Sequence, residues 1–199
     1  MPDPRLAKVR ASSLSDAMRK LHPHRHHVLD LVSPTPDRVL FGPAATMLFA
    51  PVRADVPKEA QSFDAHLARI ARPGAVLVCA SPGAERAAAV GGIRLTRAAA
   101  LGFSGVLTTA RIRDFREAAA SPLTVYCRGE TPLAGSSEAM PVATDIPLAL
   151  DDATVLPGDF VYADDAGAVI LPAKDVDRAL ELAAQIEAQD VERAKAAAR

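Results

Sequence analysis

Residues 75–109, AVLVCASPGAERAAAVGGIRLTRAAALGFSGVLTT, decide the fold. The unbroken apolar run at 75–80 is too short for a core helix and reads as a strand buried on both faces. Ser81-Pro82-Gly83 then turns the chain into residues 84–101, a segment of strong helix formers broken at Gly91-Gly92 and stopped by Gly102. Residues 105–109 form a second apolar strand. Two strands joined through a helix of this length pair in parallel by a right-handed βαβ crossover, so the fold class is α/β.

Working upstream, residues 62–71 place Phe63, Leu67 and Ile70 at helical spacing, and Pro73-Gly74 ends that helix. Residues 39–51 mix strand formers with Gly42 and Pro43 and predict two short strands around a tight backbone feature. Leu14, Ala17, Met18 and Leu21 mark an amphipathic helix over residues 13–21, with Ser13 as its N-cap and Pro23 as its stop. Downstream, residues 123–128, 140–148 and 160–171 read as strands, the last folded into a hairpin at Asp164-Asp165-Ala166-Gly167, which argues for an added antiparallel layer. Residues 175–199 close the chain as a helix whose stripe of Val176, Leu180, Leu182, Ala183, Ile186 and Val191 packs on its own domain or on a neighbouring subunit.

A chain of 199 residues with 49% hydrophobic content supports one core, so residues 1–199 are expected to form a single domain. The 23 basic and 24 acidic side chains nearly cancel, and no basic patch is interleaved with aromatics; a direct nucleic-acid ligand is not expected. With no Trp and 4% aromatics, a base-stacking surface is also excluded. The polar start Met-Pro-Asp-Pro-Arg precedes no apolar h-region, and no run is long enough to span a bilayer, so the expected location is the cytoplasm. Cys79 and Cys127 lie in apolar runs and read as buried, reduced thiols.

Chemistry points first to Arg111-Ile112-Arg113-Asp114, just past a strand end where α/β sheets present ligand-binding groups. The Arg113 fork matches a carboxylate, and Asp114 can hold Mg²⁺ or Mn²⁺ directly or through water; a surface ion pair is the plainer reading. Gly91-Gly92-Ile93-Arg94 either lets a ligand approach the backbone at a helix start or breaks the helix for packing. His22, His24, His26 and His27 could bind a transition metal, but Pro23 and Arg25 point the rings apart, and a solvated loop fits better. A phosphate loop, a nucleophile elbow and an H-E-x-x-H motif are all missing. With no Lys between Lys58 and Lys174, aldol chemistry would have to run on a metal rather than a Schiff base.

Four blocks, Leu14-Ser15-Asp16-Ala17, Phe41-Gly42-Pro43-Ala44-Ala45-Thr46, residues 91–114 with Gly102, Gly105 and Arg113-Asp114, and Pro157-Gly158-Asp159-Phe160-Val161 running on to Pro172, carry a resemblance. In order and separation they resemble the regulator of ribonuclease activity A (RraA) family and its relatives, the 4-hydroxy-4-methyl-2-oxoglutarate aldolases. The resemblance implies a swivelling β/β/α-type domain with a βαβ crossover and a C-terminal helix, assembled as a homotrimer or a hexamer with sites at subunit interfaces. It also implies a lyase of the aldolase or oxaloacetate decarboxylase type that takes small 2-oxo acids and releases pyruvate. In that scheme Arg113 and Asp114 are catalytic, Arg113 grips the substrate, Gly91, Gly92, Ile93 and Arg94 supply binding contacts, and Asp114 anchors Mg²⁺ or Mn²⁺. Other family members imply a different role, non-catalytic binding and regulation of a ribonuclease or other protein partner. Against the enzyme pattern of an acidic residue, twenty residues, then Arg-Asp, this chain carries Gly92 at the acidic position, and Thr109-Ala110 replaces the usual Asp-Gly.

Overall fold

The computed structural model describes residues 3–198. In chain order a 3-10 turn (Pro4–Lys8) leads to α1 (Ala11–Leu21), β1 (His27–Val28), β2 (Leu40–Pro51), α2 (Phe63–Ile70), β3 (Val76–Ala80) and β4 (Ala88–Val90). There follow α3 (Gly92–Ala100), β5 (Gly105–Thr108), β6 (Arg111–Ile112), α4 (Phe115–Ala120), β7 (Thr124–Tyr126) and α5 (Gly135–Glu138). Then come β8 (Ala139–Thr144), β9 (Leu148–Leu150), β10 (Ala153–Val155), β11 (Phe160–Asp164), β12 (Gly167–Leu171), a second 3-10 turn (Ala173–Asp175) and α6 (Val176–Ala197).

An eight-stranded sheet in the order β1-β12-β11-β2-β3-β5-β7, with β8 also on β2, organises the molecule. The β3-α3-β5 unit pairs in parallel, Val76 opposite Gly105 and Cys79 opposite Thr108, and β7 extends the parallel part. The antiparallel part is the β11–β12 hairpin, closed by Asp165-Ala166 between the paired Asp164 and Gly167, with β1 outside it. The expected antiparallel layer is therefore a continuation of the same sheet. The α/β class, the crossover and the C-terminal helix are as expected from the sequence.

Three apolar clusters hold this sheet. On one face of the parallel part Leu67, Leu77, Leu95, Val106 and Val125 pack together with α2, α3 and α4. A second cluster, including Val78, Leu107, Tyr126 and Val161, is joined by Leu148, Leu150 and Val155 of the β9–β10 hairpin. Under the β11–β12 hairpin, Leu14, Ala17 and Met18 of α1 meet Ala179, Leu180, Ala183 and Ile186 of α6. The apolar stripe of α6 thus packs on its own chain as far as Ile186, while Val191 stays exposed.

Several local expectations need correction. The two short strands expected in residues 39–51 are one strand, β2, because it changes partner at Pro43: residues 40–43 pair with β11 and residues 44–48 with β3. A proline, which cannot donate to a ladder, sits at that changeover. Residues 84–90 are not helical. Their Ala-rich propensity is overridden by pairing of β4 with β6, Ala88 opposite Arg111 and Val90 opposite Ile112, and by burial of residues 87–90. Ser13 is the third residue of α1, not its cap, and its hydroxyl accepts from the Arg10 amide. Residues 140–148 divide into β8 and β9 around Asp145, which has φ 54°. The histidine stretch is a loop as expected, but only partly solvated: His24 is exposed, whereas His26 is 6% exposed with its ring nitrogens 3.0 Å from the Ser15 carbonyl and 3.1 Å from the His24 carbonyl, of which the neutral ring donates to one, and His22 lies 3.0 Å from Asp175. Cys79 and Cys127 are free and buried as expected.

Candidate functional site

The two-residue strand β6 sets the site. It is gripped on one side by β4 and beyond its end by backbone bonds from Arg113 N–H to the Val90 carbonyl (3.0 Å) and from Thr131 N–H to the Ile112 carbonyl (2.9 Å). At Asp114 the chain turns through the left-handed region, φ 65° and ψ 52°, and starts α4. Aspartate tolerates that conformation better than most side chains, so the turn projects Arg113 and Asp114 from a firmly held backbone.

Across the gap lies the N-terminus of α3. The Gly92 amide donates to Asp114 Oδ2 at 3.2 Å, so the carboxylate is fixed against the positive end of that helix with its other oxygen uncommitted by this bond. The Leu95 amide is the first to bond back into the helix, onto the Gly91 carbonyl. The amides of Ile93 and Arg94 belong to the first turn, whose N–H groups have no intrahelical acceptor.

These parts line one cavity of ≈ 360 Å³ whose wall includes Gly91, Gly92, Ile93, Arg94, Arg113 and Asp114, the six residues that the family resemblance assigns to the site; Arg111, Ile112 and the histidines are not part of it. Phe63, Asp64, Arg97 and the start of α5 at Gly135 and Ser136 complete it. Its three arginines are engaged differently. Arg97 is paired with Asp64 at 2.7 Å. Arg94 donates to the Ala89 carbonyl at 2.7 Å and lies over the Phe63 ring at 4.6 Å, so its head is part of the wall; burial pulls its pKa below the ordinary value. Among the described residues no carboxylate lies within salt-bridge distance of Arg113. The cavity thus presents an uncommitted guanidinium, a tethered carboxylate and a helix N-terminus together, an arrangement suited to a small carboxylate-bearing anion.

Sequence reading missed Glu117. A Cβ at position 92 would fall within the Glu117 carboxylate, with Glu117 Cδ 2.9 Å away. The signal was present in the Asp114-x-x-Glu117 spacing, which puts both side chains on one side of α4. Phe63 was also missed as a site residue, having been read only as core. Among the described residues no group of three or more His, Cys, Asp or Glu converges as a metal-binding cluster, and no helix is long and apolar enough to cross a membrane.

Comparison with known proteins follows the same lines. A family model described as Aldolase/RraA matches residues 11–170. A Thermus thermophilus protein named 4-hydroxy-4-methyl-2-oxoglutarate aldolase is 32% identical over 99 residues, 50% of this chain and 60% of that protein. A Halalkalibacterium halodurans protein provisionally given the same name is 29% identical over 126 residues, 63% of this chain and 60% of its own length. The chain therefore spans about 60% of the length of these relatives. In three dimensions it superposes on Streptomyces coelicolor RraAS2, described as an unusual member of the RNase ES inhibitor RraA family. That match has a TM-score of 0.83 at 27% identity and covers 98% of this chain and 100% of the other. The family model runs from the first helix to the last strand and takes in every residue of the cavity wall, and this chain belongs to the RraA-like, Aldolase/RraA family.

Proposed function

We propose that this chain is a divalent-metal-dependent lyase of the aldolase or oxaloacetate decarboxylase type that cleaves small 2-oxo acids and releases pyruvate. The observation that carries this reading is Arg113, a guanidinium without an ionic partner among the described residues, next to Asp114 and facing the start of α3 across one cavity. The names of the aldolase relatives support the reaction class.

In this reading Arg113 grips the substrate carboxylate with its two-pronged fork, and the first-turn amides of α3 add to the positive field around it. Mg²⁺ and Mn²⁺ take oxygen donors, and Mg²⁺ is commonly held by one or two carboxylates while keeping several waters. Asp114, with one oxygen held by Gly92, fits that need and would anchor the ion. When bound, the cation supplies charge against the oxyanion that develops as a carbon–carbon bond beside a ketone breaks. Arg94 keeps the wall formed around that charge, because its own head is committed to Ala89 and Phe63. The reading carries with it a homotrimer or hexamer, checked by light scattering, and a cytoplasmic location.

The test is pyruvate release from oxaloacetate and from 4-hydroxy-4-methyl-2-oxoglutarate, with and without Mn²⁺. Arg113→Ala and Asp114→Asn are each expected to lower metal-dependent turnover by about a hundredfold or more. Turnover by the folded protein no faster than free Mn²⁺ would overturn the proposal. One observation favours a second reading, a non-catalytic regulator of a ribonuclease or other protein: the full-length likeness to RraAS2. A stable stoichiometric complex with a ribonuclease, formed by protein without lyase activity, would support it.

A further inference from the structure

The cavity that holds Arg113 and Asp114 also takes in α3 beyond its start, with Arg97 in its wall beside Phe63 and Asp64. Arg113 stands at the first end of this helix, where a Cβ on Gly91 would lie 3.1 Å from Arg113 Cβ. Arg97 is five residues beyond Gly92, about 7.5 Å of helix rise. Between them in the chain, Arg94 is turned onto the Phe63 ring and the Ala89 carbonyl. Arg97 is held more loosely. Asp64 reaches it through Nη1 alone, at 2.8 Å from Oδ1 and 2.7 Å from Oδ2, so the edge formed by Nε and Nη2 is not spent on that carboxylate. That edge is one of those with which a guanidinium makes two-pronged bonds. Both partners are about half exposed, 51% and 49%, and an exposed pair is worth at most about a factor of five in an equilibrium constant. Asp64 in the first turn of α2 and Arg97 in the last turn of α3 each suit the helix end they occupy, which accounts for the charges but not for their place in a cavity wall.

We infer that Arg97 is the specificity residue of this cavity: its unspent edge takes a carboxylate at the far end of a ligand whose 2-oxo-acid end is gripped by Arg113. Asp64, bonded to Nη1, is the positioning residue that keeps the fork turned along the wall. The inference rests on the lyase reading for the near end of the ligand and narrows its substrates to acids with a second anionic group. An acid without that group leaves Arg97 paired with Asp64 and loses only the far contact. Discrimination is therefore graded, of the size of a half-exposed ion pair, and it lies in a residue that plays no part in the bond-breaking end of the site.

The experiment is titration calorimetry with 2-oxoglutarate and 2-oxopentanoate in the presence of Mg²⁺. The two acids share a five-carbon chain and a 2-oxo-acid end and differ in the carboxylate on the far carbon, so the ratio of their affinities isolates the far contact. The natural protein should prefer 2-oxoglutarate by about three- to fivefold. Arg97→Gln should bring the ratio to about one while melting at the temperature of the natural protein, and Arg97→Lys, a point charge without the fork, should fall between the two. Arg113→Gln should weaken both acids. No preference in the natural protein, or a preference that Arg97→Gln leaves unchanged, overturns the inference; if Arg113→Gln still weakens both acids, the reading of Arg113 as the substrate clamp stands. Absence of binding of either acid by the natural protein overturns the inference together with that reading.

Discussion

Two arginines in one cavity wall should respond to substitution very unequally, and Arg94 allows the size of the effect to be worked out. Its Nη1 donates to the Ala89 carbonyl at 2.7 Å, and its guanidinium lies 4.6 Å from the Phe63 ring centre in a largely desolvated position. A hydrogen bond from a charged donor is worth about 1.5–3 kcal/mol net. A partly buried cation–π contact adds about 1–2 kcal/mol. The two share one guanidinium and do not add fully, so Arg94→Ala should cost about 3 kcal/mol, near 6–12 °C in melting temperature for a domain of this size. Arg113, with no ionic partner among the described residues, should change stability by less than about 0.5 kcal/mol on replacement by Ala. Urea unfolding followed by circular dichroism measures both, and the midpoint should move at constant slope. A loss below about 1 kcal/mol for Arg94→Ala would refute the assignment of Arg94 to the wall and return it to the ligand-binding groups.

Two further predictions concern buried titratable groups. His26 is held below its ordinary pKa, first by burial and then by its neighbouring histidines, against the opposing pull of the His24 and Ser15 carbonyls. Its neutral form is favoured in the folded state, so the stability it contributes is present above the unfolded pKa near 6.5 and is lost as pH falls below that value towards the folded pKa. Urea midpoints from pH 8 to 5 should show that fall, and His26→Gln should flatten it; an unchanged slope would remove His26 as its source. Burial pushes the Cys79 thiol up to about 12 and the Cys127 thiol up to about 11. Neither should react with a disulfide reagent at pH 8 until urea unfolds the chain, and rapid labelling of the native protein would contradict the buried placement.

What was legible in the sequence was whatever rests on periodicity and on short apolar runs. The parallel pair at Val76–Ala80 and Gly105–Thr108, the hairpin at Asp164 to Gly167 and the apolar stripe of α6 are all local patterns that tertiary structure only had to accept. The misreadings fall where a distant partner decides. Ala84 to Val90 has the composition of a helix, but one-residue contacts to Arg111 and Ile112 win, because pairing there buries four consecutive residues and completes the backbone bonds of β6. Pro43 looks like an interruption until β2 is seen changing partners at that point. The residues of the candidate site were found individually, yet their division of labour was not, since nothing local distinguishes an arginine turned onto Phe63 from one without an ionic partner.

Position 92 shows why a motif is better treated as a place in space than as a place in the chain. Judged by sequence alone, glycine at the acidic position of the Arg-Asp pattern subtracts a charge from the site. In three dimensions the space above Gly92 is filled by a carboxylate that enters from Glu117, twenty-five residues further along the chain. As placed, the Glu117 carboxylate leaves no room for a side chain at 92, although Glu117 itself is exposed to solvent. The Glu117 and Asp114 carboxylates together keep negative charge beside the positive end of α3, so the field at the start of that helix is not set by the residue at 92 alone.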